Sequence, residues 1–221
     1  MSSPAASAQL PAAEAATPAR TVVHKFGGTS VADAERYRHV AQLLLAREEA
    51  LQVTVVSAMK GVTDALIELA RMAGAEAGAG QGGADWRERW HALRARHRGA
   101  AVALLGEHAG PTVEWLDQRF EELAQLLSAL GVIGGLPAEV LERVQGLGEV
   151  CSAQLLGEHL RALGQDCAVL DAREVLVVGH GELGVDVDWA RSAQRLAHWR
   201  QAHPQARVVA TGFVARDGQD R

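Results

Sequence analysis

Strand, helix, strand, helix is the order in which apolar residues recur from Thr21 onward, and few folds accept that order. Val22, Val23 and Phe26 form a short apolar run that stops at Gly27-Gly28, which reads as a buried strand entering a tight turn. From Asp33 to about Ala50 the apolar positions Val40, Leu43 and Leu44 follow a 3.6 period. Val53 to Val56 is a second apolar run, and Val62 to Ala77 a second helical pattern with Leu66, Leu69, Ala70 and Ala73 on one face. Successive strands separated by helices pair in parallel through right-handed crossovers. The expected fold class is therefore α/β, a three-layer sandwich around a mostly parallel sheet.

Further along, Gly74 to Gly83 holds five glycines and reads as a connector. Trp86, Trp90 and Leu93 make an apolar stripe among arginines, and Thr112 to Leu130 a helix with Trp115, Leu116, Leu123, Leu126 and Leu127 inward. The Gly148-Glu149 step is expected to open the next helix, with Gly164 just past its end. Cys167 to Leu170 and Val175 to Val178 read as strands, Val178 to Glu182 as a glycine-rich loop, and Asp188 to Ala202 as a helix. Arg207 to Phe213 reads as a closing strand, and Asp217-Gly218 as a hairpin turn with no strand after it. Residues 1–20 carry three of the chain's six prolines and no apolar period, so they read as a flexible tail before a domain spanning 21–221.

Composition excludes several functions. A net charge of -5 argues against a dedicated nucleic-acid binder. No apolar run reaches the length of a membrane-spanning helix. Two cysteines, Cys151 and Cys167, make neither a disulfide framework nor a zinc site, and they suit a reducing cytoplasm.

Lys25-Phe26-Gly27-Gly28-Thr29-Ser30 joins the first strand to the first helix. Two glycines let backbone approach an anion, the helix start offers free N–H groups and the positive end of its dipole, and Lys25 adds a full charge. Thr29 and Ser30 add hydroxyls. This is not a Walker A loop, because no G-x-x-x-x-G-K-[ST] occurs. A tight βα turn is the competing reading of the glycines. Ser57 ends the second strand and Thr63 stands at the next helix start, where capping competes with ligand contact. Glu149 at a helix start would favour the dipole even without a ligand. His180, Asp186 and Asp188 receive no functional role.

K-F-G-G-T-S-V, with V-V-S-A and G-V-T-D downstream, resembles the opening of an aspartate kinase in the amino-acid kinase family. Gly148-Glu149-Val150-Cys151-Ser152-Ala153, Leu170-Asp171-Ala172-Arg173-Glu174 and Thr211-Gly212-Phe213 match the same family in order and spacing. The run from Glu149 to Glu174 is most similar to kinase domains fused to a homoserine dehydrogenase. The resemblance implies ATP-dependent phosphorylation of the L-aspartate β-carboxylate, the first step toward lysine, threonine and methionine. ATP and Mg²⁺ are the implied cofactors, with NADP only where a homoserine dehydrogenase domain follows. It also implies site roles. Lys25 is catalytic and binds ATP phosphates together with Gly27, Gly28, Thr29 and Ser30; Ser57, Thr63, Glu149, Gly212 and Phe213 bind substrate, with Glu149 facing its α-ammonium.

In this family the T-G-F strand continues into T-x-x-L-G-R-x-G-S-D, which the chain does not reach. The expectation is an amino-acid-binding part of the fold without its nucleotide lobe, inactive alone, with an unpaired edge at Arg207 to Phe213. Two alternatives stay open: a fragment that only binds aspartate, or a kinase for another amino acid such as glutamate. The full-length form is expected to be a cytoplasmic homo-oligomer.

Overall fold

The computed structural model describes residues 21–47, 51–75, 85–181, 184–212 and 214–217. The tail read over residues 1–20, the whole of the 76–84 stretch, Phe213 and Gly218 lie outside the described residues.

Four strands form one sheet in the order β1-β2-β6-β3, with β1 at Thr21–Phe26, β2 at Leu51–Val56, β3 at Cys167–Leu170 and β6 at Arg207–Thr211. Every pairing in it is parallel. A second sheet has the order β5-β4-β7. In it β4 (Val177–Gly181) pairs antiparallel with β5 (Gly184–Val187) and parallel with β7 (Arg216–Asp217). The α/β class with a mostly parallel sheet is borne out.

Period-2 burial in β2 shows how the main sheet is covered, since Gln52, Thr54 and Val56 are buried and their neighbours only half-buried. One face carries helices α1 (Ala34–Leu45), α2 (Val62–Ala75), α3 (Trp86–Leu105), α4 (Gly110–Ile133) and α5 (Ala138–Ala162). Tyr37, Leu66, Trp90, Leu116, Phe120 and Leu155 belong to this one large core. The other face carries α6 (Trp189–Ala202), whose Trp199 packs with Ala168, Leu170, Val208 and Ala210 in a much smaller cluster.

Local chemistry fixes the helix ends. Asp33 accepts a hydrogen bond from the Arg36 amide at 2.9 Å and starts α1, and Asp188 does the same for α6 with the Arg191 amide at 2.9 Å. The Trp86, Trp90 and Leu93 stripe is buried as read.

Five readings need correction. Helix α5 begins at Ala138, so Gly148-Glu149 lies mid-helix and Glu149 cannot serve a helix N-terminus. Within that helix a Cβ on Gly146 would stand 2.8 Å from Val214 Cγ1, and one on Gly148 2.7 Å from Ala58 Cβ. They are close-packing positions. Gly74 is likewise a packing glycine inside α2 rather than the start of a connector: its carbonyl accepts from the Gly135 amide at 2.8 Å. The stretch read as a loop from Val178 contains β4, whose residues through Gly181 pair with β5, and Val175 closes a short 3-10 turn instead of opening a strand. Strand β6 ends at Thr211 and is interior, paired with β2 on one side and β3 on the other, so the expected unpaired edge there is wrong. Finally, Asp217 lies in β7 and pairs in parallel with β4 rather than turning into a hairpin.

Candidate functional site

Parallel strands deliver all their C-terminal ends to one edge, and in open α/β sheets ligands bind in the crevice beyond that edge. Here the ends of β1, β2 and β6 are laced together by backbone. The Ser57 amide donates to the Phe26 carbonyl at 3.1 Å, and the Gly212 amide to the Val56 carbonyl at 2.9 Å. Lys25 pairs in register with Val55, one residue before the end of β1. Ser57, Gly212 and the glycine turn therefore stand side by side along one edge.

The turn itself is closed by the Ser30 amide donating to the Gly27 carbonyl at 2.8 Å. Gly28 packs backbone on backbone against the segment after β2. Its carbonyl accepts from the Lys60 amide at 3.1 Å, and a Cβ there would stand 2.8 Å from the Ala58 carbonyl oxygen. Gly212 is similarly close, with 3.2 Å between an added Cβ and the Val56 carbonyl oxygen. A side chain at Gly28 would push the strand ends apart, and one at Gly212 would crowd the Val56 carbonyl. Gly61, φ +77°, gives the sharp bend into α2.

Two helix starts, α1 at Ala34 and α2 at Val62, follow these turns and add positive dipole ends to the edge. Thr63 lies inside the first turn of α2, past the capping position, and its hydroxyl makes no hydrogen bond to described residues. The Ser57 hydroxyl makes none either. Both remain available to a ligand.

Glu149 is delivered by α5. Gly148 brings that helix onto the β2–α2 segment, with 2.7 Å between an added Cβ and Ala58 Cβ. The residue is only 6% exposed. Burial pushes its pKa above the usual carboxylate range, partly offset by hydrogen bonds from the Ala58 and Glu149 backbone amides. No cation among the described residues forms a salt bridge with it. Among the described residues no cation offsets the burial of this acid, and a cation from outside would do so.

The structure thus gathers Lys25, Gly27, Gly28, Ser57, Thr63, Glu149 and Gly212 at one edge, with Thr29 and Ser30 following in the same turn; Phe213 falls outside the described residues. Two residues went unnoticed in the sequence. Arg96 on α3 donates from a single nitrogen, Nη2, to the Ala32 carbonyl and to the Lys60 carbonyl, both at 3.0 Å. It staples the segment before α1 to the segment before α2. Lys60 is the second; its only sequence signal is that it is one of two lysines in the chain. Behind the edge, the Tyr37 hydroxyl and Ser152 Oγ share a buried hydrogen bond of 2.7 Å that ties α1 to α5.

Comparison with known proteins gives three findings. The sequence model of the amino acid kinase family matches residues 20–221. A bifunctional aspartokinase/homoserine dehydrogenase 2 of Arabidopsis thaliana chloroplasts is 32% identical over 200 residues, covering 90% of this chain and 21% of the relative. The Escherichia coli bifunctional aspartokinase/homoserine dehydrogenase 2 is 31% identical over 88% of this chain and 23% of its own length. The chain therefore spans about a fifth of the length of these relatives, at 21% and 23%. In structure, E. coli aspartokinase III in complex with lysine and aspartate superposes with a TM-score of 0.76 at 24% identity, over 90% of this chain and 42% of that one. The same enzyme with aspartate and ADP gives 0.76 at 25% identity, over 91% of this chain and 42% of that one.

Proposed function

The chain belongs to the amino acid kinase family, and from that premise we propose that it forms the aspartate-binding part of an aspartate kinase. The observation that carries the proposal is Glu149, buried beside the strand-end edge without a counter-ion among the described residues. An α-ammonium is the cation it suits. That contact selects an amino acid over a plain dicarboxylate of the same length.

In the proposed reaction an oxygen of the aspartate β-carboxylate attacks the γ-phosphorus of ATP. The bond from that phosphorus to the β,γ-bridging oxygen breaks, and ADP leaves. Glu149 fixes the amino end of the substrate, while Ser57, Thr63 and the Gly212 backbone orient the rest. Lys25 and the turn from Gly27 to Ser30 balance negative charge on the phosphoryl group in flight. Holding both reactants in line supplies much of the rate, because phosphoryl transfer asks little covalent chemistry of the protein.

Among the described residues no group of three or more His, Cys, Asp and Glu could hold a metal ion. Magnesium in this proposal arrives on the ATP phosphates, as it commonly does, and no step is routed through it. The names of the relatives support a bifunctional parent with a homoserine dehydrogenase. No helix among the described residues is long and apolar enough to cross a membrane. Both cysteines are free and buried, which supports a reducing cytoplasmic setting.

Calorimetric titration of the chain with L-aspartate, L-glutamate and succinate tests the proposal. Aspartate should bind, glutamate more weakly, and succinate, which lacks the ammonium, at least about ten-fold more weakly for one lost charge-assisted contact. Equal affinity for succinate and aspartate would refute the role of Glu149.

A further inference from the structure

Twenty of the chain's twenty-two basic residues are arginine, and the two exceptions are Lys25 and Lys60. They are far apart in sequence, yet both belong to the same edge. Lys25 precedes the glycine turn. Lys60 lies across it, with its Cα 3.5 Å from where a Cβ on Gly28 would stand.

The backbone of Lys60 is held from two sides. Its amide donates to the Gly28 carbonyl at 3.1 Å, and its carbonyl accepts from Arg96 Nη2 at 3.0 Å. Its side chain is exposed and makes no ion pair or hydrogen bond with described residues. Asp33, the acid at the adjoining helix start, is engaged in capping the Arg36 amide at 2.9 Å. An ammonium on a flexible stem is thus anchored at the rim of the glycine turn and left uncommitted.

Elsewhere the chain uses arginine where a cation meets a fixed partner. Arg94 and Arg98 both grip Asp117, Arg89 reaches Glu68 at 2.6 Å, and Arg161 holds Glu158 at 2.7 Å. A planar guanidinium suits such fixed geometry. A compact ammonium with three rotatable donors suits a group whose oxygens change position during transfer. We infer that Lys60 is a second phosphate-contacting cation of this site, acting with Lys25 on the terminal phosphates of a nucleoside polyphosphate. The inference rests on the reading of the glycine turn as an anion site and adds a residue to it.

Two lysines make a direct test simple. Reductive methylation with ¹³C-formaldehyde keeps both charges and gives one resonance set for each lysine, and the α-amino group is set apart by its lower pKa. The full chain is then titrated with inorganic pyrophosphate, with ATP, and with adenosine as control. Both lysine signals should move with pyrophosphate and ATP, and neither with adenosine. Lys60→Met, which keeps the aliphatic stem, should weaken pyrophosphate binding roughly ten-fold, the worth of one charge-assisted contact. Movement of Lys25 alone would overturn the inference and leave the anion site standing. Movement of both signals with unchanged affinity in Lys60→Met would overturn it as well. If neither signal moved, the anion reading of the turn would fail, and the inference with it. Signals that responded to pyrophosphate but not to ATP would contradict the nucleotide as the source of the phosphates.

Discussion

The two faces of the four-stranded sheet are built to different depths. Five helices cover one face and share one core that includes Tyr37, Leu66, Phe120 and Leu155. The other face carries α6, with Trp199 as its main anchor, and Val23 of β1 remains 64% exposed there. The site depends on the deep face. Glu149 comes from α5, Arg96 from α3 and the two turns from the ends of β1 and β2, so positions at the edge are fixed by helices packed behind it. The shallow face contributes Lys25, which shares its side of β1 with Val23 and pairs in register with Val55. The deep layer thus fixes Glu149 and the two turns, while Lys25 reaches the edge from the thinly covered side.

Substitutions can break or sharpen that contrast. Phe120→Ala, at a residue 1% exposed in the deep core, should cost about 3–5 kcal/mol, a loss large enough to unfold a marginal domain. Leu196→Ala on α6, where the side chain is 42% exposed, should cost under about 1 kcal/mol. Urea unfolding of both variants checks this, and equal losses would make the two faces equivalent.

Gly148→Ala comes next. The new methyl would meet Ala58 Cβ at 2.7 Å and force α5 away from the β2–α2 segment, at about 1–3 kcal/mol. Aspartate affinity should fall with it, because Glu149 is the adjacent residue. Gly99→Ala in α3, where an added Cβ meets nothing within 4 Å, should instead stabilise by roughly 0.5–1 kcal/mol through helix propensity. Opposite signs for two glycines in helices of the same layer would show that contact at the edge, not helix content, sets the outcome.

Smaller still is Tyr37→Phe. It removes the buried 2.7 Å hydrogen bond to Ser152 and should cost about 1 kcal/mol. Acid adds a related effect in the same layer. His97, desolvated between α3 and Phe120, has its pKa lowered to about 4 from 6.5. The unfolded chain binds its proton more readily, so this contribution is full above pH 6.5 and is lost as pH falls toward 4. His97→Gln should flatten that part of the stability profile in a urea series across pH.

Much of this architecture was legible because its signals are local. The runs ending at Phe26, Val56 and Leu170 are apolar and bounded by turns, and the parallel pairing of β1 with β2 follows from what lies between them. The glycine turn also reads directly, since strand, glycines and helix are contiguous. What could not be read depends on distant partners. Gly146 and Gly148 resemble helix breakers until Val214 and Ala58 are seen against them. Gly179 and Gly181 suggest a loop until β5 pairs with them. That β6 enters between β2 and β3 is a matter of sheet order, which no local pattern encodes. Glu149 was legible only as part of a motif. Its burial and its place beside Ala58 come from the start of α5 at Ala138, eleven residues earlier. Arg96 carries no signal at all, because its role consists of two carbonyls on other elements.

The pH dependence of L-aspartate binding, measured for the chain and for Glu149→Gln, tests the central claim most directly. Burial holds the Glu149 carboxyl protonated to higher pH than an ordinary carboxylate, and only its ionised form pairs with an ammonium. Affinity should therefore rise as pH increases through that raised pKa. In Glu149→Gln it should be at least about ten-fold weaker at neutral pH, with that rise abolished. An aspartate affinity that is unchanged in Glu149→Gln, with the same pH profile, would contradict the account.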